Sequence, residues 1–185
     1  MKKTALIILH NGVEEIEIVT PIDILRRGGI EVTVASQTEE LLAEGRNGIT
    51  IKADRSLASI EDETFDAVVL PGGPGIPQNV RPDNRIKHIL QRHHEAGSLV
   101  AAICAAPVIV NDAGILEGKN FTSHFSVEDE LTTVDPTKAV IEDGNLITSR
   151  GAGTATAFSL AILAKLTDQA TAEAVADSIC LMQAQ

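Results

Sequence analysis

The sequence has no tryptophan and no tyrosine, and its aromatic residues are four phenylalanines, 2% of the 185 residues. Proteins that bind single-stranded nucleic acids stack bases on aromatic side chains, so this scarcity argues against a base-stacking surface. The core has to be built from Ile, Leu, Val and Ala. Hydrophobic residues make up 44% of the chain and charged residues 22%, as in folded proteins, and the length predicts one domain over residues 1–185.

Clusters of positive charge and long apolar runs are also missing. Lys and Arg number 15 against 26 Asp and Glu, which gives a net charge of −11, and no run of basic residues stands out. Because nucleic acids and anionic membranes attract clustered positive charge, we expect neither as a partner. The longest apolar run, Leu99–Val110, is too short to span a bilayer and contains Pro107.

The chain has only two cysteines, Cys104 and Cys180, too few for a disulfide scaffold or a thiolate metal site. The apolar run Ala5–Leu9 follows two lysines but is too short for an export signal. We therefore expect a reduced, soluble, cytoplasmic protein that holds no metal.

Predicted strands and helices alternate along the chain. Apolar runs predict strands at Thr4–Leu9, Ile30–Ala35, Phe65–Leu70 and Leu99–Ile103, and Asn47-Gly48 and Asp143-Gly144 predict two hairpin turns. Helices are predicted over Glu14–Arg27, Asp83–Ala96, Ala105–Ala113, Thr154–Leu166 and Thr171–Leu181, whereas Phe121–Leu131 is ambiguous. This alternation predicts a mostly parallel sheet with helices on both faces, whose ligands bind at the carboxyl ends of the strands.

The strongest local feature is the segment Leu99–Pro107, in which an apolar strand runs directly into Cys104 and then into a helix. This order is typical of a nucleophile elbow. A helix N-terminus lowers the pKa of a thiol, so we expect a thiolate near neutral pH. A small buried hydrophobe at a strand end is an equally open interpretation of Cys104. Cys180, predicted in mid-helix among apolar residues, is expected to be structural.

A glycine-rich turn, Pro71–Gly75, follows another predicted strand at the same sheet edge. Glycines allow backbone N–H groups to approach a ligand and to form an anion-binding concavity, which beside Cys104 would stabilise an oxyanion. A simple tight turn is the alternative. No Gly-Lys-Ser or Gly-Lys-Thr follows, so the turn is not a phosphate-binding P-loop.

Three glutamates open the first predicted helix: Glu14, Glu15 and Glu17. Acidic residues in a first turn stabilise the helix dipole, the role we expect for Glu14 and Glu15. One of the three could instead face the thiol as an acid or base, and the spacing alone does not say which.

Five histidines offer further candidates. His10 ends the first predicted strand and His124 lies in a loop after the Cys104 helix, so either could support the cysteine. His88, His93 and His94 share one polar helix, where we expect them to be solvated, and a metal cluster is the less favoured alternative.

Five segments, taken in order, carry a family resemblance that covers essentially the whole chain. The sequence resembles the DJ-one/ThiJ/PfpI superfamily and within it the DJ-one-like (YajL-like) branch. The resemblance implies a flavodoxin-like α/β sandwich, similar to class I glutamine amidotransferases. The segments are Gly12–Glu17, Arg26–Thr33, Val69–Gly73, Ala101–Pro107, and Leu146–Gly151 followed by Gly153-Thr154.

The resemblance also implies a site. Cys104 matches the family nucleophile, Glu17 matches a protonated carboxyl that hydrogen-bonds its sulfur, and His124 matches the family histidine near the site. The backbone N–H groups of an anion pocket match Gly73 and Ala105, with Gly72 beside them. No metal or organic cofactor is implied.

The usual family dimer packs the first helix across a two-fold axis, which would place Asp23 and Arg27 in an inter-subunit pair.

Several positions depart from family patterns. Ala105 follows Cys104 where the protease branch has histidine, so peptidase activity is not expected. Pro74, Phe125 and Ala152 also differ and would reshape the rim of the pocket.

The resemblance implies an enzyme acting on small dicarbonyls, a glutathione-independent glyoxalase that converts methylglyoxal to lactate. Deglycase activity on glycated substrates ranks second within the same chemistry. The alternative from another class is an oxidation-sensing redox chaperone or regulator that uses the same Cys104, because a reachable thiol beside a carboxyl donor can stop at the sulfinate.

Overall fold

The structure is a computed structural model that describes residues 2–131 and 135–181. Its strands are β1 (Thr4–Leu9), β2 (Glu31–Ser36), β3 (Leu42–Glu44), β4 (Thr50–Lys52), β5 (Arg55–Ser56), β6 (Ala67–Leu70), β7 (Leu99–Ile103), β8 (Val140–Asp143) and β9 (Leu146–Ser149). Its helices are α1 (Glu15–Arg27), α2 (Asn84–Glu95), α3 (Pro107–Asp112), α4 (Ala155–Leu166) and α5 (Gln169–Ser178).

Seven strands form one sheet in the order β5-β2-β1-β6-β7-β9-β8, and β3 pairs with β4 in a separate hairpin. Among the strands of the described residues, only β8 runs antiparallel to its neighbour in the large sheet. At its centre Ile7 of β1 stands opposite Val34 of β2 and Val69 of β6. The central strands β1, β6 and β7 are almost entirely apolar because both faces of the sheet are covered there.

Alternate residues of each strand pack against opposite layers of helices. One layer buries Leu6, Ile8, Val68 and Leu70 against α2 and α3, and the other buries Ala5, Ile7, Leu9 and Val69 against α1, α4 and α5. The expected α/β sandwich, a mostly parallel sheet with helices on both faces, is confirmed.

Several predicted boundaries are wrong. Helix α3 begins at Pro107 and not at Ala105, because the chain needs the intervening residues to turn away from β7. Helix α5 ends at Ser178, and Cys180 lies beyond it with φ of +56° and an exposed side chain. The interpretation of Cys180 as a filler in mid-helix is therefore wrong.

The expectation that His93 is solvated is also wrong, since its side chain is buried between α2 and the chain before β6. Its Nδ1 lies 2.7 Å from the Ile89 carbonyl oxygen, and the Phe65 N–H donates to its Nε2 at 3.1 Å. Burial lowers the pKa of His93. A neutral ring with its proton on Nδ1 satisfies both contacts.

The carboxyl ends of the parallel strands β1, β6, β7 and β9 lie at one edge of the sheet, where the following loops gather. This is the edge at which such folds bind ligands. Within residues 2–131 and 135–181, the helices are too short or too polar to cross a bilayer.

Candidate active site

Cys104 directly follows β7 and has φ of +66°, a left-handed conformation that costs a non-glycine residue about 1–2 kcal/mol. Two backbone hydrogen bonds hold it there. Its N–H donates to the Ser149 carbonyl at 2.9 Å, and its own carbonyl accepts from the His124 N–H at 2.9 Å. The strand, the strained residue and the helix that follows form the predicted nucleophile elbow.

Two glycines of the turn after β6 allow close approach to the thiol. A Cβ on Gly72 would lie 2.7 Å from the Cys104 Cβ, and a Cβ on Gly73, with φ of +109°, would lie 2.6 Å from the Glu14 nitrogen. The N–H groups of Gly73 and Ala105 hydrogen-bond the Cys104 sulfur. These two donors lie where the family resemblance implies an anion pocket, and that role stays a prediction.

The prediction that Gly72 also belongs to the anion pocket is wrong. Its N–H donates to Glu17 Oε2 at 2.9 Å and is therefore not directed at an anion bound beside the sulfur. Gly72 instead fixes the Glu17 carboxyl, and its missing side chain makes room for it.

The structure decides which of the three glutamates faces the thiol. Glu14 caps α1 by accepting from the Glu17 N–H at 2.9 Å. Glu15 turns the other way and accepts from the Asn47 backbone N–H at 2.7 Å and from its side-chain nitrogen at 3.0 Å. Glu17 is 1% exposed, and its carboxyl hydrogen-bonds Cys104.

Glu17 and Cys104 both resist ionisation in this site. Burial raises the pKa of Glu17 to about 7, and the nearby Glu14 adds to the effect. Burial also raises the pKa of Cys104 to about 12, together with the charge of Glu17. Because two adjacent buried anions repel each other, the pair holds one proton over a wide range of pH.

The expectation that a helix N-terminus lowers the pKa of Cys104 is therefore wrong. Helix α3 begins only at Pro107 and has six residues, so its dipole is short and displaced from the sulfur. The N–H groups of Gly73 and Ala105 do lower the pKa of the thiol, but burial and Glu17 outweigh them.

His124 lies at the edge of the same site. Its Nδ1 accepts from the Ser126 N–H at 3.2 Å and so caps the turn Phe125–Glu130. A Cβ on Gly151 would lie 3.4 Å from the His124 Cδ2 and 4.0 Å from the Cys104 sulfur, so Gly151 separates the imidazole from the thiol. Burial lowers the pKa of His124, and a neutral ring follows at neutral pH.

His10, the other histidine candidate, belongs to the scaffold. It is 1% exposed, and its Nδ1 and Nε2 lie 3.0 Å and 3.4 Å from the carbonyl oxygens of Asn11 and Pro71. Those contacts tie the loop after β1 to the turn after β6.

Nearly the whole chain is similar to proteins of one known family. The family model of the DJ-1/PfpI family matches residues 3–165. The chain belongs to the DJ-1/PfpI family. This assignment agrees with the sheet order and with the elbow at Cys104.

Relatives in the DJ-1/PfpI family match nearly the whole chain. Protein dj-1beta of Drosophila melanogaster is 40% identical over 183 residues, 97% of both chains. A protein of Caenorhabditis elegans named glutathione-independent glyoxalase DJR-1.2 is 33% identical over 186 residues, again 97% of both. The crystal structure of Drosophila DJ-1beta superposes with a TM-score of 0.95 and 38% identity, covering 99% of this chain and 100% of the other.

A cavity of about 400 Å³ opens at the cysteine of this DJ-1/PfpI site. Its wall includes Gly73, Ala105 and His124, together with three charged side chains that sequence reasoning missed: Arg46, Arg81 and Glu130. Arg46 lies in the turn between β3 and β4, where the sequence pattern indicated only a hairpin. Of the departures from the family pattern, Pro74 lines the cavity, and Phe125 is 69% exposed beside His124.

Asp23 and Arg27 pair with each other within α1, with Arg27 Nε 2.9 Å from Asp23 Oδ1. Both side chains are exposed on that helix. The inter-subunit pairing that the family resemblance implies stays a prediction.

No group of three His, Cys, Asp or Glu side chains suited to a metal ion occurs among residues 2–131 and 135–181.

Proposed function

We propose that this protein is a cysteine-dependent, glutathione-independent glyoxalase for small 2-oxoaldehydes. The observation that carries the proposal is the Glu17 carboxyl hydrogen-bonded to the Cys104 thiol, beside the N–H groups of Gly73 and Ala105. The reaction is R–CO–CHO + H2O → R–CH(OH)–COO⁻ + H⁺. The aldehyde carbon loses two electrons and the ketone carbon gains them, so no external oxidant is required.

The first step forms a bond between sulfur and carbon. Cys104 passes its proton to Glu17 and attacks the aldehyde carbon, which gives a hemithioacetal oxyanion. The N–H groups of Gly73 and Ala105 stabilise this oxyanion, and the proton on Glu17 then neutralises it. Glu17 is a carboxylate again at the end of the step.

The second step moves a proton between adjacent carbons. Glu17 removes the proton from the former aldehyde carbon, and the electrons shift into an enediolate. The hydroxyl proton on that carbon's oxygen passes to the oxygen of the neighbouring carbon, and Glu17 returns its own proton to the neighbouring carbon. The product on sulfur is a thioester of the 2-hydroxy acid. Water cleaves it, the acid leaves, and Cys104 regains its proton.

His124 assists these transfers as a neutral imidazole. Its ring borders Gly151 opposite the sulfur, so it can hydrogen-bond an oxygen of the bound dicarbonyl. Deglycase action on early glycation adducts is a second activity of the same kind, because those adducts derive from the same dicarbonyls. We further propose that the protein works as a cytoplasmic homodimer.

The deciding experiment measures lactate formed from methylglyoxal in buffer free of glutathione and metal. Wild type and Cys180→Ser are expected to produce lactate at equal rates, since Cys180 lies outside the site. Cys104→Ser is expected to lose turnover by about 10²-fold or more because serine is a far weaker nucleophile here. Lactate production by Cys104→Ser at the wild-type rate would overturn the proposal.

An oxidation sensor is the second candidate, and one observation favours it. The structure named Toxoplasma gondii DJ-1, oxidized, is 29% identical, superposes with a TM-score of 0.93, and covers 98% of this chain and 100% of the other. Here two peroxide molecules would add two oxygens to Cys104 and release two waters, leaving a sulfinate held by Gly73 and Ala105.

Peroxide titration followed by peptide mass measurement tests this candidate. A sensor gains about 32 Da, the mass of two oxygens, at Cys104 before exposed Cys180 reacts. The oxidised protein keeps its fold and changes its binding to client proteins. Equal oxidation of both cysteines, or oxidation of Cys104 without any change in client binding, would contradict the sensor role.

A further inference from the structure

We propose that the site selects substrates with an anionic group, and that Arg46 is the residue that binds this group. The inference rests on the proposed glyoxalase function and names its substrate class: 2-oxoaldehydes that carry a carboxylate or a phosphate beyond the dicarbonyl. Arg46 lines the same cavity as Cys104 and His124.

The charges around the cavity leave Arg46 available. Arg81, the other arginine of the wall, is already engaged, with contacts of 2.8 and 3.1 Å to Asp112 and 2.6 Å to Glu130. Arg46, by contrast, has no carboxylate oxygen within 4.0 Å among residues 2–131 and 135–181. A cation without a partner at the mouth of a cavity favours an anionic ligand.

The backbone of Arg46 is also held in place. Its backbone N–H donates to the Val13 carbonyl at 2.9 Å, and the Gly12 N–H donates to the Glu44 carbonyl at 2.8 Å. The next residue, Asn47, gives two hydrogen bonds to the buried carboxylate of Glu15. The β3–β4 turn is therefore fastened to the loop that precedes α1, and Glu15 acts as a positioning residue for Arg46.

The chemistry at the Cys104 sulfur does not require the β3–β4 turn to be fastened beside the cavity. Binding of a ligand anion by Arg46 would explain why it is. The Arg46 charge reaches the reacting groups, because it lowers the pKa values of both Glu17 and His124. A ligand anion placed between Arg46 and Cys104 would meet that field with the backbone of the turn already ordered, which favours its binding over that of a neutral analogue.

Two alkylating probes of nearly equal shape test the anion site without any turnover. Iodoacetate is an anion and iodoacetamide is neutral, and each forms a bond from carbon to sulfur with release of iodide. The ratio of their rates at Cys104, measured by peptide mass spectrometry, cancels any change in the reactivity of the thiol. Exposed Cys180 supplies an internal reference in every sample.

Arg46→Gln is expected to lower the iodoacetate-to-iodoacetamide ratio at Cys104 by about fivefold, the factor for unit charges about 4 Å apart in water. Arg46→Lys is expected to keep most of the ratio, and the loss is expected to shrink at high salt. Lys52→Gln, which removes an exposed cation from β4 of the same hairpin, is the matched control and should change nothing. An unchanged ratio in Arg46→Gln overturns the inference.

Substrates give the second readout. The value of kcat/KM for 4,5-dioxopentanoate, a carboxylate, and for 3-phosphooxy-2-oxopropanal, a phosphate, is compared with that for methylglyoxal. Preference for either anion that disappears in Arg46→Gln supports the inference and identifies the anion, whereas preference for methylglyoxal over both overturns it. If wild type turns over none of the three, the glyoxalase proposal fails, and the alkylation ratio still decides whether Arg46 binds anions.

Discussion

The carboxyl of Glu17, in the first turn of α1, hydrogen-bonds the thiol of Cys104 at the end of β7. Glu17 is buried and Cys104 is partly buried at the cavity, and burial raises their pKa values to about 7 and about 12. The pair therefore behaves as a single unit that loses its first proton near neutral pH. That property connects the geometry of the site to its reactivity and to the stability of the fold.

The pH dependence of activity follows from this pair. With methylglyoxal, kcat/KM is expected to rise through about pH 7 as Glu17 loses its proton, and then to level off, since kcat/KM reports the free enzyme. In Glu17→Gln the activity should fall by about 10²-fold or more, and the remaining activity should rise only at higher pH, where the thiol itself ionises. A wild-type profile in Glu17→Gln would show that Glu17 is not the titrating group.

Ionisation of Glu17 should lower the free energy of unfolding as pH rises, whereas ionisation of a carboxylate whose pKa is lowered by folding raises it. The folded-state pKa is raised from 4.5 to about 7, so between these values the folded state binds the additional proton and unfolding becomes easier as pH rises. The free energy of unfolding of Glu17→Gln should therefore rise by about 3 kcal/mol relative to that of wild type between pH 4.5 and pH 8. Urea unfolding of both proteins at the two pH values measures the difference, and a constant difference would refute the buried, raised carboxyl.

Gly151→Ala tests the space between the thiol and His124. Gly151 has φ of 162°, an extended conformation open to alanine, and the new methyl group would lie 4.0 Å from the Cys104 sulfur. We expect the free energy of unfolding to change by less than about 1 kcal/mol, and kcat/KM to fall by about tenfold or more, because small displacements of bound substrate are costly.

Gly153→Ala is the matched control for this change, since a Cβ there meets nothing within 4 Å. It should leave kcat/KM unaltered. Equal effects of the two substitutions on activity would place the substrate elsewhere in the cavity.

Phe158 is the largest fully buried side chain and lies on α4 against the sheet. Phe158→Ala should lower the free energy of unfolding by about 3–5 kcal/mol, through lost burial and the cavity that remains. Phe125→Ala removes the same ring from a position that is 69% exposed and should cost about 0.5 kcal/mol or less. Denaturant unfolding of the two variants compares them directly, and a similar loss in both would contradict the packing described.

The order of elements and the location of the site were accessible from the sequence. The central strands β1, β6 and β7 are almost entirely apolar, because both sheet faces are covered, and so they stand out from the amphipathic helices between them. The apolar strand before Cys104 and the glycines of Pro71–Gly75 likewise mark the two loops that meet at the site. These are local patterns, and local patterns are what a sequence displays.

Other features depend on contacts between distant segments. The choice of Glu17 over its neighbours follows from the cap by Glu14 and the pairing of Glu15 with Asn47, neither of which the spacing reveals. The burial of His93 depends on Phe65, and the exposure of Cys180 depends on where α5 stops packing.

The sequence by itself determined the fold class, the elbow at Cys104 and the set of residues from which a site could be built. Only the tertiary structure decided the sign of the Cys104 pKa shift, the role of Gly72 as a donor to Glu17, and the place of Arg46 in the cavity wall. The physical reason is that periodicity and turn chemistry act between near neighbours in the chain. Burial, repulsion between charges and hydrogen bonds across loops arise only when remote segments are packed together.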